Sequence, residues 1–587
     1  MFERVLVANR GEIALRVIRA CKELGIRSVA VYSDVDAQSL HVREADEAYR
    51  LGPAAPALSY LNAERIFEIV RQAKCDALHP GYGFLAENAA FAARCTAEGI
   101  CWIGPAPRVI ELMGDKLSAR NAAASTGMPI VPGTTHALRT ADEVRKAASE
   151  IGYPIAVKAA AGGGGKGLKV ARRPGEVEQA VSLASKEAAA YFNDATLYVE
   201  RYLAHPKHVE VQVLGDAHGN TLQLGERDCS MQRRHQKLVE ETPAQIGAAL
   251  RDRLLGSAAR LAREIGYDSA GTIECLVEGD DFFFLEMNTR IQVEHTVTEM
   301  VWGVDLVKAQ IRVAAGERLS SIADGSHARG HAIECRINAE SPALDFRPCA
   351  GLITKFELPA GPGIRVDSAA FAGYAVPQDY DSLVAKLVTW GQDRDEARSR
   401  MLRALDELSI EGIESTAPFL KLLLRDRRFV DGTYATPTVD AFVRESVSAL
   451  AAAYPAPSAA PASEQGSVAP TELDVDVDGK RFAVRIYHPS SQDDRFKATG
   501  AGRGRTFQPP KRVAQDRSTV ASPMHGIVAE VRVGVGDDVS DGQVIAVVEA
   551  MKMMNEIIAH RAGRVQRVDV KPGDAVETGC ELIRFAD

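Results

Sequence analysis

The sequence predicts an α/β opening domain and a nucleotide-binding α+β region. After a linker and a small β element it predicts an all-β flattened-barrel module. Three observations carry this: strand and helix periods alternate from residue 5 onward, four glycines stand between two apolar runs at 155–170, and the last seventy or so residues repeat themselves at an offset of 37. At roughly 100–200 residues per domain, the 587 residues correspond to about three to five domains.

Residues 5–8 (VLVA) read as a buried strand. Ile13, Val17, Ile18, Cys21 and Leu24 follow at helical spacing, then Gly25 and the apolar run SVAVY. The alternation continues to about Ile103-Gly104, which implies a parallel sheet with helices on both faces. The first turn, ANRGEIA, has one glycine where a dinucleotide fingerprint needs three, which argues against a nicotinamide cofactor.

The run IAVKAAAGGGGKGLKV (155–170) lets backbone N–H groups of Gly163, Gly164 and Gly165 approach phosphates. Gly167 stands where a P-loop needs Ser or Thr, so this is a lid and not a Walker loop. Lys158 before it, and Lys116 in MGDK, are candidate phosphate ligands. Glu274 and Glu286 lie on two strand-like runs separated by an acidic turn. With Asn288 they form an oxygen-rich set suited to Mg²⁺ or Mn²⁺. Arg290, Gln292 and Glu294 are expected to alternate onto one face of the same strand, setting cation, amide and carboxylate side by side as an anion site with a base in it.

Near residue 447 the composition shifts to LAAAYPAPSAAPASEQGSVAP, a linker. Leu473, Val475 and Val477, the turn Asp478-Gly479, and Phe482, Val484 and Ile486 then read as a hairpin. A Gly/Arg-rich stretch from TGAGRGR to about Arg517 follows. It reads as a solvated linker rather than an RNA contact. In the last module Gly526 lies on Gly563, and Val528, Val531 and Val533 lie on Val565, Val568 and Val570. Gly536-Asp537 lies on Gly573-Asp574, Val539 on Val576 and Gly542 on Gly579. Two such halves imply a pseudo-twofold β-sandwich, since neither half alone buries its apolar face. Lys552, between Met551 and Met553, stands at the junction hairpin, where a modifying enzyme reaches it and a swinging arm needs it.

Composition excludes other classes. With 46% hydrophobic and 25% charged residues and no apolar run approaching about 20 residues, no membrane span is expected. A net charge of −9 argues against a nucleic-acid-binding role. Nine scattered cysteines without a CxxC pair suggest reduced thiols. Met1 leads straight into FERVLVA without a secretion signal, so the cytoplasm is the expected compartment.

EAMKM, with SPMHG upstream, resembles the biotin carboxyl carrier domain, in which the lysine between the methionines is biotinylated. Lipoyl domains share the fold but usually lack the two flanking methionines. The glycine lid with Lys158, the pair Glu274 and Glu286, and EMNTRIQVEH resemble the ATP-grasp fold of biotin carboxylase. The similarity runs from VLVANRGEIA and HPGYGFLAEN to IECRINAE. As a whole the chain resembles the α subunit of a bacterial acyl-CoA carboxylase. The resemblance implies a biotin carboxylase N-terminal domain over 1–112, an ATP-grasp domain over 113–330 and a C-terminal domain over 331–446. These precede an Ala/Pro linker (447–470), the small β hairpin region (471–516) and the biotinyl domain (517–587).

Carried over residue by residue, the resemblance implies ATP contacts from Lys116, Lys158, His208, Gln232 and His235, with Glu200 and Leu203 near the adenine. Lys237, Arg290, Gln292 and the backbone of Val293 would hold bicarbonate, Glu294 would be its general base, and Arg336 would stabilise the enolate form of biotin. Tyr82 is either part of the biotin pocket or a packed aromatic at a glycine-rich turn. Glu294 would deprotonate bicarbonate for attack on the γ-phosphoryl group, giving carboxyphosphate, which a closed lid protects from water. Two departures stand out. Ala161 replaces the first of five lid glycines, which would stiffen the lid slightly, and Thr296 replaces a common proline after VEH, with no change in chemistry expected.

No carboxyltransferase is visible in the chain, so a separate β subunit is expected. Biotin protein ligase and a homodimer of the catalytic part within a larger α/β assembly are expected as well. Acetyl-CoA and propionyl-CoA are the leading acceptors. About seventy linker residues would span roughly 40–50 Å if flexible, and the hairpin within them is the expected docking point for the partner. The alternatives are an ATP-grasp ligase for another substrate, which the EAMKM carrier argues against, and a carrier or assembly subunit with a degenerate nucleotide site.

Overall fold

A computed structural model describes the chain apart from residues 161–167, 193, 324, 456–470, 478–479, 487–517, 525, 552, 578 and 587. Of the residues singled out above, Gly163, Gly164, Gly165, Lys552, Ala161 and the turn pair Asp478 and Gly479 lie outside the described residues.

The chain opens with a five-stranded parallel sheet in the order Glu47–Gly52, Arg27–Ser33, Arg4–Val7, Ala77–His79, Cys101–Trp102. Alternate strand residues face opposite ways, so the sheet needs a cover on each side. Val5, Val7 and Ala30 pack under helix Gly11–Glu23 and the later helix Leu306–Ala314. Leu6, Val29 and Val31 pack under helices Ala63–Ala73 and Ala89–Ala97. Asn62 and Asn88 cap those last two helices through Arg65 N and Phe91 N.

The centre is a single eight-stranded sheet. Its order is Asp281–Asn288, Ala270–Glu278, Lys207–Gly215, Thr221–Arg233, Gln236–Thr242, His331–Asn338, Leu383–Gly391, Ile364–Ser368. The pairing of Val239 with Cys335 and of Thr242 with Ala332 carries the sheet across residue 330 without a break. Helix Ala248–Glu264 covers one part of it through Leu254, Ala258 and Leu261. Helix Arg394–Glu407 covers another through Met401 and Leu405. A separate three-stranded antiparallel sheet, Lys169–Ala171, Ile155–Ala159, Leu197–Arg201, has its own core with helices Ala141–Ile151 and Val177–Phe192. Its first two strands bracket the glycine stretch, with Ile155 opposite Ala171 and Val157 opposite Lys169.

Farther on, Thr471–Val477 pairs with Lys480–Ile486 as a hairpin. The last module is two four-stranded sheets around one core. Strands Gly526–Val531 and Val544–Ala550 lie in one sheet, and their counterparts at an offset of 37, Gly563–Val568 and Glu581–Phe585, lie in the other. The short strands cross over: Asp538–Val539 pairs with Gly563 and Arg564, and Ala575–Val576 pairs with Gly526 and Ile527. All nine cysteines are free thiols. Among the described residues no helix is long and apolar enough to cross a membrane.

Candidate active site

The central strands bring most of the singled-out residues into one cluster. Lys237, on Gln236–Thr242, directs its Nζ at three carboxylates: Glu210 at 2.6 Å, Glu274 at 3.1 Å and Glu294 at 2.5 Å. Arg336, on His331–Asn338, reaches the other oxygen of Glu294 from Nη2 at 2.9 Å and donates from Nε to Glu240 at 2.6 Å. Glu294 is 2% exposed. Burial alone would raise its carboxyl, but Lys237, Arg336 and Arg227 outweigh that and hold it well below the usual carboxylate range. It is therefore ionised at neutral pH, with each oxygen held by a cation.

One expectation about this segment is corrected. Arg290, Gln292 and Glu294 do not share a strand: the strand ends at Asn288, and Glu294 is the N-cap of helix His295–Trp302. The apolar-polar alternation of RIQVE imitates a strand. The chain leaves the ladder because Glu87 accepts Thr289 N at 3.1 Å and Arg290 Nε at 3.0 Å, and Ile291 turns into the core beneath the opening domain. Three residues from a turn can still converge. Gln292 donates to Glu274 at 2.8 Å, and the carbonyl of Val293 accepts Lys386 Nζ at 3.0 Å, which fixes the peptide that carries the neighbouring N–H.

Glu274 and Glu286 are cross-strand partners, and Asn288 lies opposite Thr272. Asn288 donates to Glu274 at 2.8 Å and accepts Arg290 Nη2 at 2.9 Å. Burial and the adjacent Glu274 raise the Glu286 carboxyl, with Lys116 offsetting only part. A buried carboxylate, a half-buried one and an amide oxygen on neighbouring strands fit a hard divalent cation, whose charge would relieve that repulsion. Two other groups place ligand atoms within 4.8 Å of one another: His208, Glu210 and Glu274, and Glu210, Cys229 and Glu294. In both, Lys237 already supplies the cation through Glu210, Glu274 and Glu294.

Around the nucleotide side, Lys158 pairs with Glu200, whose other oxygen meets Arg120 Nη1 at 3.3 Å. Glu200 thus faces the lysine, and Leu203 lies nearby along the chain, 7% exposed. Burial lowers the Lys116 ammonium from its ordinary value. His208 reaches Glu274 from Nε2 at 2.9 Å and Gln232 from Nδ1 at 3.3 Å. Burial would depress this imidazole, but Glu274 outweighs it and holds it raised. His235 sits in the two-residue connection after Arg233, where Arg234 and His235 have φ of 48° and 66°, the conformation of a tight hairpin turn.

Tyr82 donates its hydroxyl to Glu12, which Lys386 meets at 3.1 Å. Gly81, at φ 64°, would carry a Cβ 2.9 Å from Asn9 Nδ2, and that amide donates to the carbonyls of Pro80 and Tyr82 at 2.7 Å each. Only glycine allows Asn9 to grip the loop this closely.

Four residues that sequence reasoning missed complete the cluster. Arg227, 0% exposed, uses all five N–H groups: on Glu210 at 2.6 Å, Gln212 at 2.7 Å, Thr298 at 3.0 Å, Thr272 at 3.1 Å and Gln292 at 2.8 Å. Glu210 receives both Arg227 and Lys237. Glu240 braces Arg336, and Lys386 braces Val293 and Glu12. For Glu210 and Lys386 the signal in the sequence is a charged residue within an apolar run, HVEVQV and LVAKLVTW; Arg227 and Glu240 carry no such signal.

Comparison with known proteins agrees in order along the chain. Residues 1–110 match the family model for the biotin carboxylase N-terminal domain. Residues 115–322 match the carbamoyl-phosphate synthase L chain ATP-binding domain, and 334–441 the biotin carboxylase C-terminal domain. Residues 518–585 match the model described as biotin-requiring enzyme. The biotin-dependent acyl-coenzyme A carboxylase alpha3 subunit of Mycobacterium leprae is 42% identical over 99% of this chain and 98% of its own. A pyruvate carboxylase subunit of Methanothermobacter thermautotrophicus is 50% identical over 76% of this chain and 91% of its own. The crystal structure of the biotin carboxylase domain dimer of Hydrogenobacter thermophilus 2-oxoglutarate carboxylase, in complex with MgADP, ADP and bicarbonate, superimposes with a TM-score of 0.73. The two are 47% identical, and the match covers 76% of this chain and 98% of that one.

Proposed function

Since the chain belongs to the biotin carboxylase family and carries a biotinyl-type domain at its C-terminal end, we propose that it uses ATP and bicarbonate to carboxylate biotin attached to its own Lys552. We propose further that it supplies the carboxyl group to a separate carboxyltransferase subunit whose substrate is an acyl-CoA. The observation that carries the first part is Glu294, ionised between Lys237 and Arg336 and flanked by Gln292 and the anchored Val293 peptide. An anion entering there meets two cations and an amide, with a carboxylate at its edge to take a proton.

In this reading Lys237, Arg290, Gln292 and the Val293 N–H bind and orient bicarbonate, and Glu294 accepts its proton as the oxygen attacks the γ-phosphoryl group. Lys116, Lys158 and His208 offset charge on the phosphates, with Gln232 and His235 beside them. Glu274, Glu286 and Asn288 would hold Mg²⁺ or Mn²⁺, which supplies Lewis-acid charge when bound. Arg336, braced by Glu240, presents a cation for an oxyanion developing next to the bicarbonate site. Tyr82, turned onto Glu12, shapes the wall beside it. Biotin, when attached at Lys552, supplies the ureido nitrogen that receives the carboxyl group.

The acyl-CoA assignment, acetyl-CoA or propionyl-CoA, rests on the whole-length similarity to the Mycobacterium leprae protein. Relatives named for pyruvate and 2-oxoglutarate make 2-oxo acids the competing acceptor class. The test of the first part is Glu294→Gln, expected to abolish bicarbonate-dependent ATP cleavage in a folded chain; undiminished cleavage overturns it. For the second, native capture on a biotin-binding resin followed by mass spectrometry reads the modification at Lys552 and the partner that co-elutes. An eluted carboxyltransferase turning over an acyl-CoA supports the assignment. One that turns over only pyruvate or 2-oxoglutarate replaces it. Biotin protein ligase, the homodimer and a docking role for the 471–486 hairpin belong to the same proposal.

A further inference from the structure

The methionine before the carrier lysine is buried, but not by the carrier. Met551 is 6% exposed, yet it takes no part in the carrier core, which ends on that side with Ala550. It packs instead with Ala339, Ile353, Ala370, Val376 and Val384, apolar residues of the segment that follows Arg336. It is the only carrier residue, among those described, that joins an apolar cluster of the carboxylase half.

Local backbone explains how it gets there. Ala550 pairs with Met553, leaving a two-residue connection, and Met551 has φ 49°. A left-handed φ is what so tight a connection demands, and at this turn the Met551 side chain lies with the carboxylase cluster and not with the carrier core. The receiving surface is tied to the candidate active site. Ala339 is three residues past Arg336, about 10 Å along an extended chain. Val384 is two residues before Lys386, and Arg336 and Lys386 are register partners on adjacent strands. Ile353 N bonds the carbonyl of Tyr374 at 2.9 Å, and Gly351 and Leu352 pair with Val376 and Ala375, so the socket walls are held by backbone ladders.

We propose that Met551 is the docking anchor by which the carrier presents Lys552 to the carboxylase half, and that Ala339, Ile353, Ala370, Val376 and Val384 form its socket. The proposal rests on the functional reading above and deepens it: Met551 is a positioning residue, selected for what it fits and not only for recognition by the modifying enzyme. A single unbranched apolar side chain suits a contact that must form and release in each cycle, since it adapts to the socket without an ion pair to break.

The test uses the full-length biotinylated chain. Met551→Ala and Val376→Asp are each expected to slow ATP-dependent carboxylation of the attached biotin by roughly 10- to 100-fold, the scale of losing one buried apolar side chain. Turnover of free biotin is expected to stay within about twofold, and Met551→Leu to recover most of the loss. Val376→Asp leaves the carrier untouched, so if Met551→Ala impairs biotinylation, the socket variant decides. Full-rate carboxylation of attached biotin in Val376→Asp overturns the proposal. A readout without activity is oxidative cross-linking of a Met551→Cys, Val376→Cys double variant, mapped by mass spectrometry. Cross-linking in a chain that carboxylates neither free nor attached biotin would refute the functional reading and keep the docking. Carboxylation without cross-linking, unaffected by Val376→Asp, would do the reverse.

Discussion

Of the five residues that Arg227 touches, only Gln292 has a proposed direct ligand role, in the bicarbonate site. Its replacement therefore separates scaffold from chemistry. In Arg227→Met the aliphatic stem is kept and five N–H groups are lost. Glu210 retains Lys237 but loses its second cation, while Gln212, Gln292, Thr272 and Thr298 each lose a donor inside a dry core. Breaking one side of a buried ion pair costs about 3–5 kcal/mol, and at about 2–4 °C per kcal/mol for a domain of this size the melting point should fall by roughly 6–20 °C. Arg227→Lys keeps the charge but has three donors and no fork, so its loss should be about half as large. Catalysis should fall more than stability explains. In the proposed function Gln292 and Lys237, which Glu210 holds, both orient bicarbonate, and a displacement near 1 Å costs about 100-fold. Calorimetry and bicarbonate-dependent ATP cleavage measured well below the melting point give the two numbers. A Met variant that melts within 2 °C of the parent and cleaves ATP within twofold of it would refute this account of the buried arginine.

Other outcomes follow from the same geometry. Glu241 is buried; burial would raise its carboxyl, but His331 and Arg394 carry it from 4.5 to about 2, so it contributes about 3 kcal/mol fully present above pH 4.5 and lost as pH falls towards 2. Glu241→Gln should lower the melting point at pH 7 and flatten its decline between pH 4.5 and 3, which acid-titrated calorimetry checks. Lys386→Met frees the Val293 carbonyl and leaves Glu12 to Tyr82 alone. The KM for bicarbonate should rise about tenfold, the worth of one charge-assisted bond, with a smaller change in kcat. Thr296 donates its hydroxyl to buried Glu334, so Thr296→Val should cost about 1–3 kcal/mol. Thermal unfolding of the variant reads that loss directly.

The opening sheet, the lid strands and the carrier repeat were legible because each rests on local periodicity: Ile13, Val17 and Ile18 at helical spacing, glycines between apolar runs, and valines matching at a fixed offset. The register of Glu274 against Glu286 was legible for the same reason, with two strands and a short turn between them. What escaped was long-range. Nothing near Arg227 in the chain announces that it will meet Thr272, Gln292 and Thr298, and Lys386 lies 374 residues from Glu12. The misplaced strand at Arg290–Glu294 has the same origin, because the residue that pulls the chain off the ladder, Glu87, belongs to another domain. The unbroken sheet across residue 330 was equally hidden, as Gln236–Thr242 and His331–Asn338 are far apart in sequence.

The exchanged strands of the carrier have a mechanical consequence. The hairpin at Met551 joins Val544–Ala550 to Met553–Ile558. The strands in the equivalent places of the other half are Glu581–Phe585 and Thr519–Ala521, which are not joined by a turn. The duplicated fold thus has two matching corners: one is sealed as the business tip, and the chain threads in through the other. The strand by which the chain enters the carrier and the tip next to Met551 therefore belong to opposite sheets, and the thickness of the carrier core lies between the point of entry and the point of presentation.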